Sequence, residues 1–168
     1  PLRWLSTPVS RIERVGEQQM LYRSNLNYQY SNLGLSLAGE IAAATSGVPY
    51  AEYVRTRILE PIGLKDTETE HLDRHRGGRL ATGYTALRRD GSRERVPPYE
   101  VRGIAPAAGF TSTVEDLGRF ASWQFRVLGA AGGASAEVLN ANTLREMQRV
   151  QWMDPDWKTS RGLGFGIW

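Results

Sequence analysis

Two side chains that can do chemistry stand two residues apart in the segment Tyr28-Gln29-Tyr30-Ser31-Asn32. The phenol of Tyr30 can move a proton, and the carboxamide of Asn32 can donate and accept a hydrogen bond at once. On an extended backbone, residues two positions apart share one side of the chain. The pattern therefore predicts a small polar site with Tyr30 and Asn32 as the candidate catalytic residues.

A phenol acts as a base at neutral pH only in a suitable environment. Its ordinary pKa is about 10, so this role requires nearby cations that favour the phenolate. A serine hydroxyl, in turn, needs an adjacent base before it can attack a carbonyl. An alternative stays open at this point, in which Ser31 or Asn32 caps a helix and Tyr30 is a half-buried packing residue.

The element that must position this pair is a predicted helix over about 33–44. Its apolar residues recur at helical spacing, so we expect them to anchor the helix in a core. They are Leu33, Leu37 and Ile41, with Ala38 and Ala42 alongside. Gly47 predicts a left-handed C-cap, with Pro49 just beyond it.

Further helices are expected on both sides of a hairpin. One spans about 50–59 and is ended by Pro61. Two strand-like runs then flank Asp90-Gly91, which is a strong signal for a β-hairpin. A capping box from Ser112 to Glu115 opens another helix, which ends at about 128. The buried face of this helix is expected to include Leu117, Phe120, Ala121, Trp123 and Val127. A last helix follows over about 143–151.

The final residues, 162–168, alternate glycine with bulky apolar side chains, which is typical of a strand approached closely by another backbone. Such a strand needs partners to satisfy its backbone groups. The only other strands predicted belong to the single short hairpin around Asp90-Gly91. We therefore expect most of the sheet, and the partners of this strand, to lie outside the chain.

Composition narrows the classes of function. The chain has 168 residues and no cysteine, which excludes disulfides, thiolate metal sites and a cysteine nucleophile within it. Its formal charge of +3 is small, and the Arg-rich segment 88–95 also holds acidic residues and no aromatic one, so nucleic acid is not an expected partner. No apolar run has the length of a membrane span. His71 and His75 have a spacing that could chelate a metal, but no third ligand accompanies them.

Several segments, taken in order, resemble one family of enzymes. They are Tyr28-Gln29-Tyr30-Ser31-Asn32-Leu33-Gly34, then 45–47, 58–64, Ala81-Thr82-Gly83-Tyr84, 106–117 and Gly162-Leu163-Gly164-Phe165-Gly166. In this order and spacing the chain looks like the middle of a serine hydrolase related to class C β-lactamases, D,D-peptidases and the esterases that share their fold.

The resemblance implies a fold and a reaction. The fold is mainly α with a small β-hairpin and a terminal strand, namely the helical lobe of a two-lobed α/β serine hydrolase of the β-lactamase/D,D-peptidase type, whose sheet lobe is mostly missing from residues 1–168. The reaction is hydrolysis or transfer of an ester, amide or β-lactam through an acyl-serine, with no metal or organic cofactor. The implied partners are a small-molecule acyl substrate and the remaining segments of the same enzyme. A periplasmic or secreted location is compatible with the family, and the sequence itself fixes no compartment.

The family works with three motifs: a Ser-x-x-Lys nucleophile, a Tyr-x-Asn, and a late strand that contains Lys or His. Only the second carries over, making Tyr30 the general base or proton shuttle and Asn32 the group that binds substrate and helps fix the nucleophile's lysine. The chain's two lysines, Lys65 and Lys158, have no serine three residues before them. We therefore expect this chain to be inactive by itself. The rival interpretation is a non-catalytic helical binding module or an inactive relative.

Overall fold

The computed structural model describes residues 14–19, 22–26, 28–70, 75, 78–130 and 137–167. Within them the chain is mostly helical, with five short strands. The helices are α1 (Asn32–Ser46), α2 (Tyr50–Val54), α3 (Glu60–Ile62), α4 (Ala105–Ala108), α5 (Val114–Gly129) and α6 (Ala141–Gln148). The strands are β1 (Gly83–Tyr84), β2 (Arg95–Val96), β3 (Trp152–Met153), β4 (Ser160–Arg161) and β5 (Gly166–Ile167). The expected mainly α chain with a small hairpin and a terminal strand is confirmed.

Helix α1 has the predicted end but a different buried face. It ends at Gly47, whose φ of 75° is left-handed and whose N–H donates to the Ala43 carbonyl at 2.9 Å. The buried residues are Ser36 and Gly39, whereas Ile41 is 66% exposed. The predicted apolar stripe is therefore wrong at Ile41. Helix α1 packs against α4 through the face that carries Gly39. A Cβ at position 39 would lie 2.4 Å from Pro106 in α4, so only glycine permits this close approach.

Pro61 does not end the second helix as expected. Helix α2 continues through a π-helical turn, Arg55–Leu59, in which the N–H of Glu60 donates to the Arg55 carbonyl, and then into α3. In a π-helical turn the N–H bonds to the carbonyl five residues earlier instead of four. The helix therefore continues past Pro61, although proline has no N–H to donate. The helix ends instead at Gly63, with a φ of 80°.

The hydrophobic core lies between this long helical segment and α5. Its buried side chains come from the second helix and the turn after it, together with one tryptophan of α5. They are Val54, Leu59, Ile62, Leu64 and Trp123. Burying a side chain of this size contributes roughly 1.5–3 kcal/mol relative to leaving it exposed, so the cluster makes a substantial apolar contribution to stability.

Helix α5 differs from the prediction at its start and on its faces. Thr113 is the N-cap and accepts a hydrogen bond from the Asp116 N–H at 3.2 Å, so the predicted capping box from Ser112 is wrong. The hydroxyl of Ser112 instead lies 2.8 Å from that of Thr67. Trp123 is buried, but Leu117 is 59% exposed. At 3.6 residues per turn these two side chains are about 120° apart around the helix, so one packing partner does not cover both. Phe120 and Ala121 are exposed too.

The buried carboxylate of Asp116 ties α5 to the segment that follows α3. It accepts hydrogen bonds from the Asp66 N–H at 2.7 Å, the Thr67 hydroxyl at 2.9 Å and the Arg119 guanidinium at 2.6 Å. Burial alone would raise the pKa of this carboxyl. The three donors outweigh that effect and hold its pKa below the ordinary value.

Replacing Asp116 by Asn should destabilise the folded protein by about 2 kcal/mol at neutral pH, because hydrogen bonds to a charged acceptor are the strong ones. Since the folded-state pKa is depressed, this stabilisation is present above the unfolded pKa of about 4 and is lost as the pH falls through the folded value. The difference between wild type and Asp116→Asn should therefore shrink below about pH 4. Urea unfolding at pH 7, 5 and 3.5 measures it, and a pH-independent difference would contradict this account.

The hairpin forms as predicted. Strands β1 and β2 pair antiparallel with Gly83 opposite Val96 and Tyr84 opposite Arg95. At the turn, Gly91 has a φ of 78°, and the Asp90 carboxylate accepts hydrogen bonds from the N–H and hydroxyl of Ser92 at 2.9 and 2.6 Å. The local chemistry of Asp-Gly is sufficient to place this turn.

The terminal strand finds partners within the chain. Strand β5 pairs antiparallel with β4, and β4 pairs antiparallel with β3, giving a three-stranded sheet in the order β3-β4-β5. The expectation that its partners all lie outside the chain is therefore wrong. Strands β3 and β4 have two residues each, which is too short to produce a recognisable alternation of side chains.

Candidate functional site

Tyr30 and Asn32 flank the residue that starts helix α1. Ser31 is the N-cap, and its hydroxyl accepts a hydrogen bond from the Gly34 N–H at 2.9 Å. Asn32 is the first residue of the helix, and Tyr30 lies in the segment before it. Because Ser31 performs the capping, the Asn32 carboxamide is not used for it. That part of the packing alternative, in which Asn32 caps the helix, is wrong.

Both candidate side chains face solvent. Tyr30 is 71% exposed, and Asn32 is exposed as well. A packing role would bury the Tyr30 ring against apolar neighbours, and the described residues do not bury it. A phenol hydroxyl just before the N-cap and a carboxamide on the first helical residue are thus both accessible, and each is able to engage a substrate or another part of the protein.

The helix behind the pair is firmly seated. Gly39 brings the backbone of α1 against Pro106, and Ser36, one turn after Asn32, is fully buried. The Ser36 hydroxyl has no hydrogen-bond partner among the described residues. A long helix packed this tightly gives a rigid support to the loop residues at its start, as functional loops require.

The segment that leads to Tyr30 is contacted by the terminal sheet. The guanidinium carbon of Arg161, on β4, lies 3.7 Å from the centroid of the Tyr28 ring. The Arg161 side chain also lies 3.7 Å from the Asp154 carboxylate, which accepts a hydrogen bond from the Trp152 indole at 3.1 Å. Sequence analysis missed this arginine, because nothing in its own neighbourhood distinguishes it from the chain's other arginines.

The two lysines do not complete a catalytic set. Lys65 is exposed after α3, and Lys158 is exposed between β3 and β4, where its N–H donates to Asp156 at 3.1 Å. Neither lysine forms a hydrogen bond to the Tyr30 side chain within the described part of the chain. Ser160, two residues after Lys158, is the first residue of β4.

A cleft of about 690 Å³ lies between the hairpin and residues 108–111. Neither Tyr30 nor Asn32 lines it, so the candidate site rests on the loop–helix junction rather than on this cavity. Among the described residues no group of three or more His, Asp or Glu is placed to hold a metal ion, and His71 of the predicted pair lies outside them. No described helix has the length and apolarity to cross a membrane.

Comparisons with known proteins give a consistent result. A family model described as Beta-lactamase matches residues 3–168. Beta-lactamase-like protein 2 of Dictyostelium discoideum is 27% identical over 135 residues, which are 80% of this chain and 23% of that protein. The octameric penicillin-binding protein homologue from Pyrococcus abyssi has a TM-score of 0.77 at 25% identity, covering 98% of this chain and 36% of that one. The β-lactamase/D-alanine carboxypeptidase from Pseudomonas syringae has a TM-score of 0.73 at 23% identity, with coverages of 99% and 42%. The chain thus spans less than half the length of these relatives.

Proposed function

The chain belongs to the beta-lactamase family, and from that premise we propose that it supplies the Tyr-x-Asn motif of a serine hydrolase that works through an acyl-serine. The resemblance expected from the sequence is confirmed, and the family supports a hydrolase function in general. The observation that carries the finer proposal is the exposure of the Tyr30 phenol and of the Asn32 carboxamide, which has no hydrogen-bond partner among the described residues, at a capped helix start. Tyr30 is the general base or proton shuttle, and Asn32 binds substrate polar groups and helps fix the nucleophile's lysine.

In this proposal the nucleophile comes from a Ser-x-x-Lys outside the 168 residues. The Tyr30 phenolate accepts the serine proton while the serine oxygen attacks the carbonyl carbon of an ester, amide or β-lactam. The tetrahedral intermediate collapses, and the Tyr30 hydroxyl returns its proton to the leaving oxygen or nitrogen. In the second half-reaction a water gives a proton to Tyr30 while its oxygen attacks the acyl carbon. The bond between that carbon and the serine oxygen then breaks, and Tyr30 returns the proton to the serine oxygen.

We further propose that residues 1–168 are a helical lobe beside a sheet that other segments of the enzyme complete. The chain covers 36% and 42% of the two solved structures described above, which leaves room for such segments. In the order β3-β4-β5 the two outer strands each pair on one side only within the described residues, so each has an edge that a further strand can use. The substrate-facing wall opposite Tyr30 would come from those segments.

Covalent labelling tests the proposal. Full-length enzyme treated with a fluorophosphonate or a chromogenic cephalosporin should gain one adduct, which mass spectrometry should place on a serine outside residues 1–168. The 168-residue chain alone should gain none and should not hydrolyse an activated ester, because its sequence contains no Ser-x-x-Lys to supply the nucleophile.

Two outcomes would contradict this assignment in different ways. An adduct on a serine within residues 1–168 would show that the active site has been misplaced. A folded full-length protein that gains no adduct from either probe, and turns over neither an ester nor a β-lactam, would favour the rival interpretation of an inactive relative or binding module.

A further inference from the structure

A cation from the far end of the chain lies against the segment that leads to Tyr30. The guanidinium carbon of Arg161 is 3.7 Å from the centroid of the Tyr28 ring, which is within the range of a cation–π contact. Tyr28 is two residues before Tyr30. The contact therefore acts on the short stretch of backbone that sets where the Tyr30 phenol stands.

Arg161 is itself held from several sides. It lies on β4, the central strand of the terminal sheet, and its carbonyl accepts a hydrogen bond from the Gln151 N–H at 2.8 Å. Its next residue, Gly162, sits so close to helix α6 that a Cβ there would lie 2.4 Å from the Met147 carbonyl oxygen. The backbone that carries this arginine is thus fixed on the end of α6.

The guanidinium is not committed to a tight ion pair. Its distance to the Asp154 carboxylate is 3.7 Å, beyond a normal hydrogen bond, and its buried Nε has no partner among the described residues. The Trp152 indole holds Asp154 in place through a 3.1 Å hydrogen bond. The planar cation therefore lies against the Tyr28 ring with a carboxylate 3.7 Å away, an arrangement that a lysine would reproduce poorly.

We propose that Arg161 is a positioning residue, which clamps the Tyr28 ring and thereby fixes Tyr30 against the reacting atoms. This inference rests on the proposed function of Tyr30. Catalysis by a positioned base is sensitive to displacements of about 1 Å, which can cost up to a hundredfold in rate. The clamp makes the terminal sheet part of the active-site support, although none of its residues needs to touch the substrate.

The test uses the full-length enzyme and the steady-state kinetics of acyl transfer. Arg161→Met should lower kcat about tenfold, with KM within a factor of two, because the loss is one of alignment. Tyr28→Leu should lower kcat by the same factor, and the double variant should lose no more than either single one. Tyr28→Phe, which keeps the ring, should retain near-normal turnover, and Arg161→Lys should recover part of the loss.

Arg126→Met is the matched control. Arg126 is an exposed arginine with a similarly long ion pair, 3.4 Å to Glu137, and its removal should leave kcat unchanged. If Arg161→Met does not fold, the comparison of Tyr28→Leu with Tyr28→Phe still decides, since equal kcat values for the two would overturn the clamp.

Two further results would overturn the inference. One is a lower melting temperature for Arg161→Met with normal kcat, and the other is a loss of kcat in the double variant equal to the product of the two single losses. Tyr30→Phe is measured in the same assay. If Tyr30→Phe is slow while Arg161→Met is normal, only the clamp fails. If Tyr30→Phe turns over normally, the proposed function fails and this inference fails with it.

Discussion

Replacing Tyr30 by Phe in the full-length enzyme should lower kcat for acyl transfer by about a hundredfold or more, which is the loss expected for a missing general base. Phenylalanine keeps the ring and removes the only atom of the side chain that can carry a proton. Because the Tyr30 ring is 71% exposed, its hydroxyl contributes little to packing, and the melting temperature should hardly change. Turnover and melting temperature of the same preparation are the pair of measurements that decides.

A purely structural role for the Tyr30 hydroxyl would change stability instead of turnover. If the Tyr30 hydroxyl served only the fold, its loss would cost one hydrogen bond, about 1 kcal/mol of stability, and turnover would hold. Asn32→Ala is a useful comparison within the same motif. The carboxamide can donate and accept at once, so its removal should weaken substrate binding as well as rate, whereas Tyr30→Phe should act on rate alone.

The features that sequence predicts correctly here are those that neighbouring residues decide. Gly47 is a C-cap because an L-residue is strained at its φ of 75°, and Asp90-Gly91 forms a turn through bonds within that turn. The position of Tyr30 and Asn32 at the start of a helix, on either side of the capping residue Ser31, is likewise decided locally. Their catalytic roles come from the family resemblance and stay a prediction.

The features that sequence misses depend on contacts between distant parts of the chain. Helix α1 carries apolar residues around much of its circumference, so its pattern does not say which face is buried. The close approach of Pro106 to Gly39 decides this. In the same way, a two-residue strand such as β4 exists only because β3 and β5 lie on either side of it. The contact of Arg161 with Tyr28 follows from that sheet and has no local signal.

Replacing Gly109 by Ala should be among the most damaging single changes to stability in the described part of the chain. The backbone at Gly109 is not unusual, with φ −93° and ψ −25°, so the need for glycine is one of space. An added Cβ would lie 2.0 Å from the Thr69 carbonyl oxygen and 2.7 Å from that of Ala105. Both are backbone atoms, which cannot turn away as a side chain can, so the two segments must separate.

That separation breaks a specific junction. Next to Gly109, residues Glu68 and Thr111 exchange two backbone hydrogen bonds, of 2.9 and 3.0 Å. This pairing joins the segment after α3 to the segment after α4, and α4 in turn packs against α1 through Pro106. Overpacking of this kind costs typically 1–3 kcal/mol and here, against backbone, about 3 kcal/mol or more. The loss should appear as a lower midpoint of urea unfolding in the full-length protein.

Gly118→Ala is the matched control for this steric argument. Gly118 lies within helix α5, and a Cβ there would have no atom within 4 Å among the described residues. Alanine in a helix interior is favoured over glycine by about 0.5–1 kcal/mol, so this variant should be as stable as the wild type or slightly more stable. The same methyl group should therefore have opposite effects at two glycines of one chain. If the two variants unfold at the same urea concentration, residues 69 and 109 do not approach each other as closely as described. The junction then does not support the helix behind Tyr30 in the way argued above.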